Sequence, residues 1–233
     1  MITGPNAGGK TVALKTVGLL QLMYQYGLMV TVEEGSCFRM FSRFYVVIGD
    51  EQSIENSLSS FSSHLRELKD VIENSDSNSL VLIDEICSGT DPKFGSALAA
   101  SILKYLSDKN CFTIVTTHIG DLKVFAHNNE RFINASLEFN FEKLSPSFNF
   151  KIGIPGQSYT FELAEKFKIP LEILEFASSM VIEDQYKIED MLSELNTSRI
   201  EYEKLIHDNQ LKKKVIDEMT KEYNSKLSAI KQK

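Results

Sequence analysis

Gly4-Pro5-Asn6-Ala7-Gly8-Gly9-Lys10-Thr11 is the stretch that decides how this sequence folds. The octet fits G-x-x-x-x-G-K-[ST], in which glycines let backbone N–H groups turn inward and approach phosphate oxygens closely. A helix starting near Lys10 adds its positive N-terminal end to that anion site. Lys10 then reaches the β- and γ-phosphates of a nucleoside triphosphate such as ATP, and the Thr11 hydroxyl ligates Mg²⁺. At background residue frequencies a chance match somewhere in this length is on the order of 1%. The alternative, a glycine-rich turn that merely precedes a helix, therefore carries little weight.

Further along, Leu80-Val81-Leu82-Ile83-Asp84-Glu85 is an apolar run that delivers two carboxylates at its end. In open α/β sheets ligands bind at the C-terminal ends of strands, so the pair is well placed to complete the site. Asp84 is expected to hold Mg²⁺, directly or through water, and Glu85 to polarise the attacking water as general base. Thr116-Thr117-His118 closes the following apolar run, and His118 can there hydrogen-bond the γ-phosphate or the water. His64, His127 and His207 lack such a context.

Around these motifs, strand-like and helix-like runs alternate. Leu80-Val81-Leu82-Ile83 and Phe112-Thr113-Ile114-Val115-Thr116 read as buried parallel strands. Leu65, Leu68 and Ile72 mark a helix before the first. Leu98, Ile102, Leu103 and Leu106 mark another after Pro92, which suits a first helical turn. Residues 133–141 and 148–154 flank Ser145-Pro146-Ser147 and read as an antiparallel hairpin. The expected class is α/β, a phosphate-loop nucleoside triphosphatase with a mostly parallel sheet.

Beyond Pro170 there is neither glycine nor proline. From residue 181 onward, 10 basic and 11 acidic residues crowd 53 positions, against 15 and 21 in the first 180. Two domains are therefore expected, 1–180 and 181–233. Heptad stepping from Ile188 to Ile230 finds nine apolar residues among thirteen positions, with a polar break at Asn209 and Lys213. That pattern predicts a C-terminal helical or coiled-coil extension, with a solvated amphipathic helix as the alternative.

The net charge of −7 argues against a free-standing nucleic-acid binder. Lys212-Lys213-Lys214 is offset by Asp208, Asp217 and Glu218 and reads as a solvated helix face. No apolar run is long enough to span a bilayer, so no membrane role is expected. Three widely spaced cysteines (Cys37, Cys87, Cys111) form neither a disulfide framework nor a zinc knuckle and suit a reducing, cytoplasmic setting.

Three further stretches complete the pattern: NSLSSFSSHL at 56–65, Ser88-Gly89-Thr90-Asp91-Pro92, and GIPGQSYTFELAEKFKIP at 153–170. With GPNAGGKT and Thr-Thr-His they resemble the ATPase domain of the MutS family. The resemblance is greatest to the type II branch, implicated in recombination control and rescue of collided ribosomes. Five ordered motifs carry it, over most of residues 2–204. It implies an ABC-like ATPase that works as a homodimer with two composite ATP–Mg²⁺ sites. By the same resemblance Ser59 and Ser60 reach across to the partner's γ-phosphate, and Ser88 to Asp91 form a loop along the dimer interface. Gly49-Asp50-Glu51-Gln52 stands where the family couples nucleotide state to other domains. The 153–170 stretch matches a helix-turn-helix region buttressing the dimer, or equally a helix capped by Ser158. Two features depart from the type II pattern: Ile86-Cys87-Ser88 between Glu85 and Gly89, where Cys87 is expected to pack, and Tyr159, which is closer to the mismatch-repair branch.

Only Met1, Ile2 and Thr3 precede Gly4, where a strand of about five or six residues is usual. The family's DNA-clamping levers and small MutS-related nuclease domain have no counterpart here. The sequence is thus expected to be a fragment that engages DNA or ribosomes through other parts, with no nuclease activity of its own. Two alternatives remain: an inactive dimerisation fragment, and an ABC transporter or chromosome-maintenance ATPase. SSFSSH in place of LSGGQ weighs against the latter.

Overall fold

A computed structural model describes residues 1–5, 8–49, 57–140, 143, 145–156 and 159–180, with helical positions at 205, 206, 209, 210, 212, 213, 216, 219 and 220. The side chains of residues 57–60 lie outside it. The chain divides into two compact units, Met1–Lys168 and Ile169–Lys233. The break falls ahead of the charge shift near residue 181.

The first unit is built on a six-stranded sheet in the order β2-β3-β4-β1-β5-β6. Its strands are β1 (Ile2–Thr3), β2 (Arg43–Val47), β3 (Ser79–Ile83), β4 (Phe112–Thr117), β5 (Ala135–Asn140) and β6 (Ser145–Ile152). All neighbours pair in parallel except β5 and β6. The helices of this unit are α1 (Lys10–Gln25), α2 (Ser57–Asn74), α3 (Pro92–Asp108), α4 (Gly120–His127) and α5 (Thr160–Lys166). This is the expected α/β plan.

β3 reads as an unbroken apolar run because both of its faces are covered. Val81 and Ile83 pack with Leu68, Val71, Ala99, Ile102, Leu103 and Leu106, from α2 and α3. Leu80 and Leu82 point the other way, to Leu14 of α1 and Phe41. Burying each such side chain contributes about 1.5–3 kcal/mol. Gly18 permits the close seating of α1, since a Cβ there would lie 2.6 Å from Leu82 Cδ1. The Asp91 carboxylate caps α3 by accepting from the N–H groups of Lys93 and Phe94, with Pro92 in the first turn.

β1 is as short as its sequence implied, yet it lies between β4 and β5 in the middle of the sheet. The Thr3 hydroxyl accepts from Gly156 N–H at 2.7 Å, and a Cβ on Gly156 would sit 2.4 Å from the Thr3 carbonyl oxygen. Only glycine allows these two main chains to cross so closely.

Two expectations need correction. Ser145-Pro146-Ser147 is not the hairpin turn: β6 begins at Ser145, and Pro146 pairs with Phe139. Proline is tolerated there because β6 is an edge strand and needs no inner N–H. The N-cap of α5 is Tyr159, with no side-chain cap bond, while Ser158 lies outside the described residues.

In the second unit α6 (Leu171–Met180) starts directly after Pro170. Most of the heptad stretch lies outside the described residues. Ile206 and Ile216, two of its apolar positions, are helical and exposed, so a coiled coil finds no support. No helix among the described residues is long and apolar enough to cross a membrane.

Candidate active site

The loop after β1 and the ends of β3 and β4 meet at the C-terminal end of the parallel strands. Gly4 and Gly9 both take positive φ (136° and 83°), and Gly9 stands at the N-cap of α1. Gly8 N–H donates to the Pro5 carbonyl at 3.0 Å, which closes the loop on itself. Asn6 and Ala7 lie outside the described residues. Lys10, 2% exposed, turns back so that its Nζ donates to the Gly4 carbonyl at 2.8 Å.

From β3, Asp84 is buried and each of its oxygens is held by a hydroxyl. Thr11 Oγ1 donates to Oδ2 at 2.8 Å, and Thr116 Oγ1 donates to Oδ1 at 2.5 Å. Thr116 Oγ1 also accepts the Glu85 N–H at 2.8 Å. One hydroxyl thus orders two consecutive residues. Glu85 is held by two nitrogens instead: Lys10 Nζ lies 3.3 Å from Oε1, and His118 Nδ1 lies 2.5 Å from Oε2.

The charges set the protonation states. Burial would raise the Glu85 pKa, but the His118 hydrogen bond and the Lys10 charge outweigh it and hold the carboxyl below its ordinary 4.5. The same bond to Glu85 lifts His118 above 6.5, against the opposing effect of burial. Burial lowers Lys10 from 10.5, resisted by Glu85 and Asp84. Glu85 and Cys87 both adopt left-handed backbone (φ 50° and 54°). Such conformations cost non-glycine residues about 1–3 kcal/mol each and persist where surrounding bonds enforce them. Cys87 packs as expected: it is 1% exposed, and burial pushes its thiol up to about 11.

Lys10, Thr11, Asp84, Glu85 and His118, taken from three separate stretches of sequence, therefore share one cluster. Ser59 and Ser60 fall in the first turn of α2, but their side chains lie outside the described residues, as do Asp50, Glu51 and Gln52. Three participants carried no role in the sequence reading. Thr116 is the hydroxyl just described, and Gly156 underpins the loop. Lys123, buried at 3% exposure, lines a cavity of about 290 Å³ with Gly4, Pro5, His118, Tyr159, Thr160 and Leu163. Thr116 was visible as part of Thr-Thr-His and Gly156 lay within the 153–170 stretch, whereas nothing local marks Lys123.

Chemically, the loop amides, Lys10 and the α1 N-terminus suit a polyphosphate. The Thr11 and Asp84 oxygens, 2.8 Å apart, suit Mg²⁺, which typically takes one or two carboxylates and keeps substrate phosphates and waters as its other ligands.

A phosphate loop opening a helix beside a parallel strand that ends in paired carboxylates defines a P-loop nucleoside triphosphatase. The chain belongs to the MutS family: the family model for MutS domain V, an ATPase domain, matches residues 1–184. It is an ATPase module of that family, which sets aside the transporter and chromosome-maintenance readings. It is 42% identical to Endonuclease MutS2 of Halothermothrix orenii over all 233 residues, which make up 30% of that protein. It is 43% identical to Endonuclease MutS2 of Clostridium novyi over 227 residues, covering 97% of this chain and 29% of the relative. With Endonuclease MutS2 of Lactobacillus helveticus the identity is 47% over 193 residues, covering 83% and 25%. The chain thus spans about a third or less of the length of these curated relatives, which represent the type II branch to which the motifs pointed.

Proposed function

We propose that this chain binds and hydrolyses ATP with Mg²⁺ as one half of a homodimer formed through the ATPase face. In this reading its nucleotide state controls how a type II MutS-like protein engages DNA or a stalled ribosome, through parts outside this chain, in the cytoplasm. The observation that carries the reading is the single cluster joining Lys10 and Thr11 to Asp84, Glu85 and His118. The relatives' name, endonuclease, is transferred to no residue here, and no nuclease activity is assigned to the chain.

The loop amides of Gly4 to Gly9 and the α1 N-terminus receive the phosphates, and Ser59 and Ser60 reach the partner's γ-phosphate. Thr11 and Asp84 would hold Mg²⁺, which when bound neutralises charge on the phosphates. Lys10 is drawn to the γ-phosphate, and as it leaves Glu85 one of the two groups depressing that carboxylate is removed. Glu85 then becomes a stronger base for the lytic water, while His118 and the Thr116-anchored backbone keep it oriented. Substrate arrival itself thus arms the base. Glu85→Gln should lower kcat by roughly 10²- to 10⁴-fold and leave nucleotide affinity nearly unchanged, as read by phosphate release and nucleotide titration. Undiminished turnover in that variant would remove Glu85 from the role.

A further inference from the structure

His64 takes no part in the chemistry above, yet it reaches the segment that carries the base. It lies on α2, about one helical turn beyond Ser59 and Ser60, and its Nε2 accepts the backbone N–H of Cys87 at 3.4 Å. The N–H groups of the turn after β3 can be followed one by one. Glu85 donates to Thr116 Oγ1, Ile86 to the Thr116 carbonyl, and Ser88 back to the Glu85 carbonyl. These three acceptors belong to β4 or to the turn itself. The fourth, for Cys87, comes from a separate helix.

Cys87 is almost fully buried, so its N–H is costly to leave without an acceptor. Burial lowers the pKa of His64, against the raising effect of Glu67, and so keeps Nε2 an unprotonated acceptor near neutral pH. The left-handed backbone at both Glu85 and Cys87 means the turn has a lower-energy alternative to relax into once that bond is removed.

We propose that His64 is a positioning residue: by accepting the Cys87 N–H it holds the turn that keeps the Glu85 carboxylate against Lys10 and His118. The inference rests on Glu85 acting as the base. It also gives α2 a function within the chain's own site, separate from any contact that Ser59 and Ser60 make with a partner.

The test compares His64→Leu, which fills similar space without an acceptor, with His64→Gln, whose side-chain carbonyl can accept. In the full chain, His64→Leu should lower kcat roughly ten- to hundredfold while KM and affinity for a non-hydrolysable ATP analogue stay within about twofold. Hydrogen exchange at the Cys87 amide should accelerate in the same variant, and His64→Gln should restore both. Equal loss in the two variants, or unchanged Cys87 exchange in His64→Leu, overturns the proposal. Should His64→Leu fail to fold, nitrogen NMR on the unmodified chain decides: an unprotonated Nε2 coupled to the Cys87 N–H supports the contact, and a protonated Nε2 refutes it. Wild-type turnover in Glu85→Gln would defeat the base assignment alone, because the exchange and NMR readouts report on the contact independently of hydrolysis.

Discussion

On one side of the β3 terminus two hydroxyls, Thr11 and Thr116, each donate to one oxygen of Asp84. On the other side two nitrogens, from Lys10 and His118, hold the oxygens of Glu85. The carboxylates are neighbours in sequence, but one lies in a neutral, buried cradle and the other in a partly open ionic clamp. The cradle offers a carboxylate whose geometry is set by groups of fixed charge. The clamp makes the basicity of Glu85 depend on where Lys10 is. The first arrangement suits a metal ligand and the second suits a group that must change its basicity during turnover.

Breaking the clamp from its buried end should have the larger effect. Lys10→Ala removes a charge-assisted hydrogen bond worth about 1.5–3 kcal/mol, so ATP should bind roughly ten- to hundredfold more weakly. Isothermal titration with ATP–Mg²⁺ checks this, and affinity equal to wild type would show that Lys10 does not meet the phosphates.

The cradle is tested by Thr116→Val, which keeps the shape and leaves Asp84 Oδ1 and the Glu85 N–H without their partner. The expected loss is about 1–3 kcal/mol of stability, typical of an orphaned buried polar group. A melting temperature that does not move would mean that water replaces the hydroxyl.

The exposed end of the clamp gives the smallest effect and a distinctive pH signature. His118 is half exposed, so His118→Asn should cost no more than about 1 kcal/mol. The raised His118 pKa makes its contribution complete below 6.5, and it fades as pH rises through the folded value. The lowered Glu85 pKa makes the carboxylate's contribution complete above 4.5, fading as pH falls through its folded value. The gap in melting temperature between wild type and variant should therefore be widest between pH 4.5 and 6.5 and narrow toward alkaline pH. A gap that grows above pH 8 would contradict the pairing.

Most of this site could be read from the chain because its parts are local signals. The glycine-rich octet, the apolar run ending in Asp84-Glu85 and the histidine after β4 each declare themselves within a few residues. What stayed hidden depends on partners distant in sequence. β2 was missed although Phe44-Tyr45-Val46-Val47 is a continuous apolar run; it is an edge strand in which only Val47 is buried, with Arg43 and Val46 exposed. Thr116 was seen only as the start of a motif, since its value lies in touching Asp84 and Glu85, more than thirty positions away. Pro146 suggested a turn because proline usually interrupts strands, and only the edge position of β6 makes it harmless. His64 lacked a local context for the same reason as Thr116: its partner is the backbone of Cys87, 23 residues on.

The contact between Gly156 and Thr3 also has a bearing on synthesis. The phosphate loop leaves the ribosome ahead of its supports, and it cannot settle until β4, β5 and finally a glycine 153 positions downstream of Thr3 have emerged. At about 5–20 residues per second, translation imposes a delay of roughly 8–30 s. Throughout that interval the nascent loop has no finished sheet beneath it, so the nucleotide pocket is among the last parts of this unit to mature.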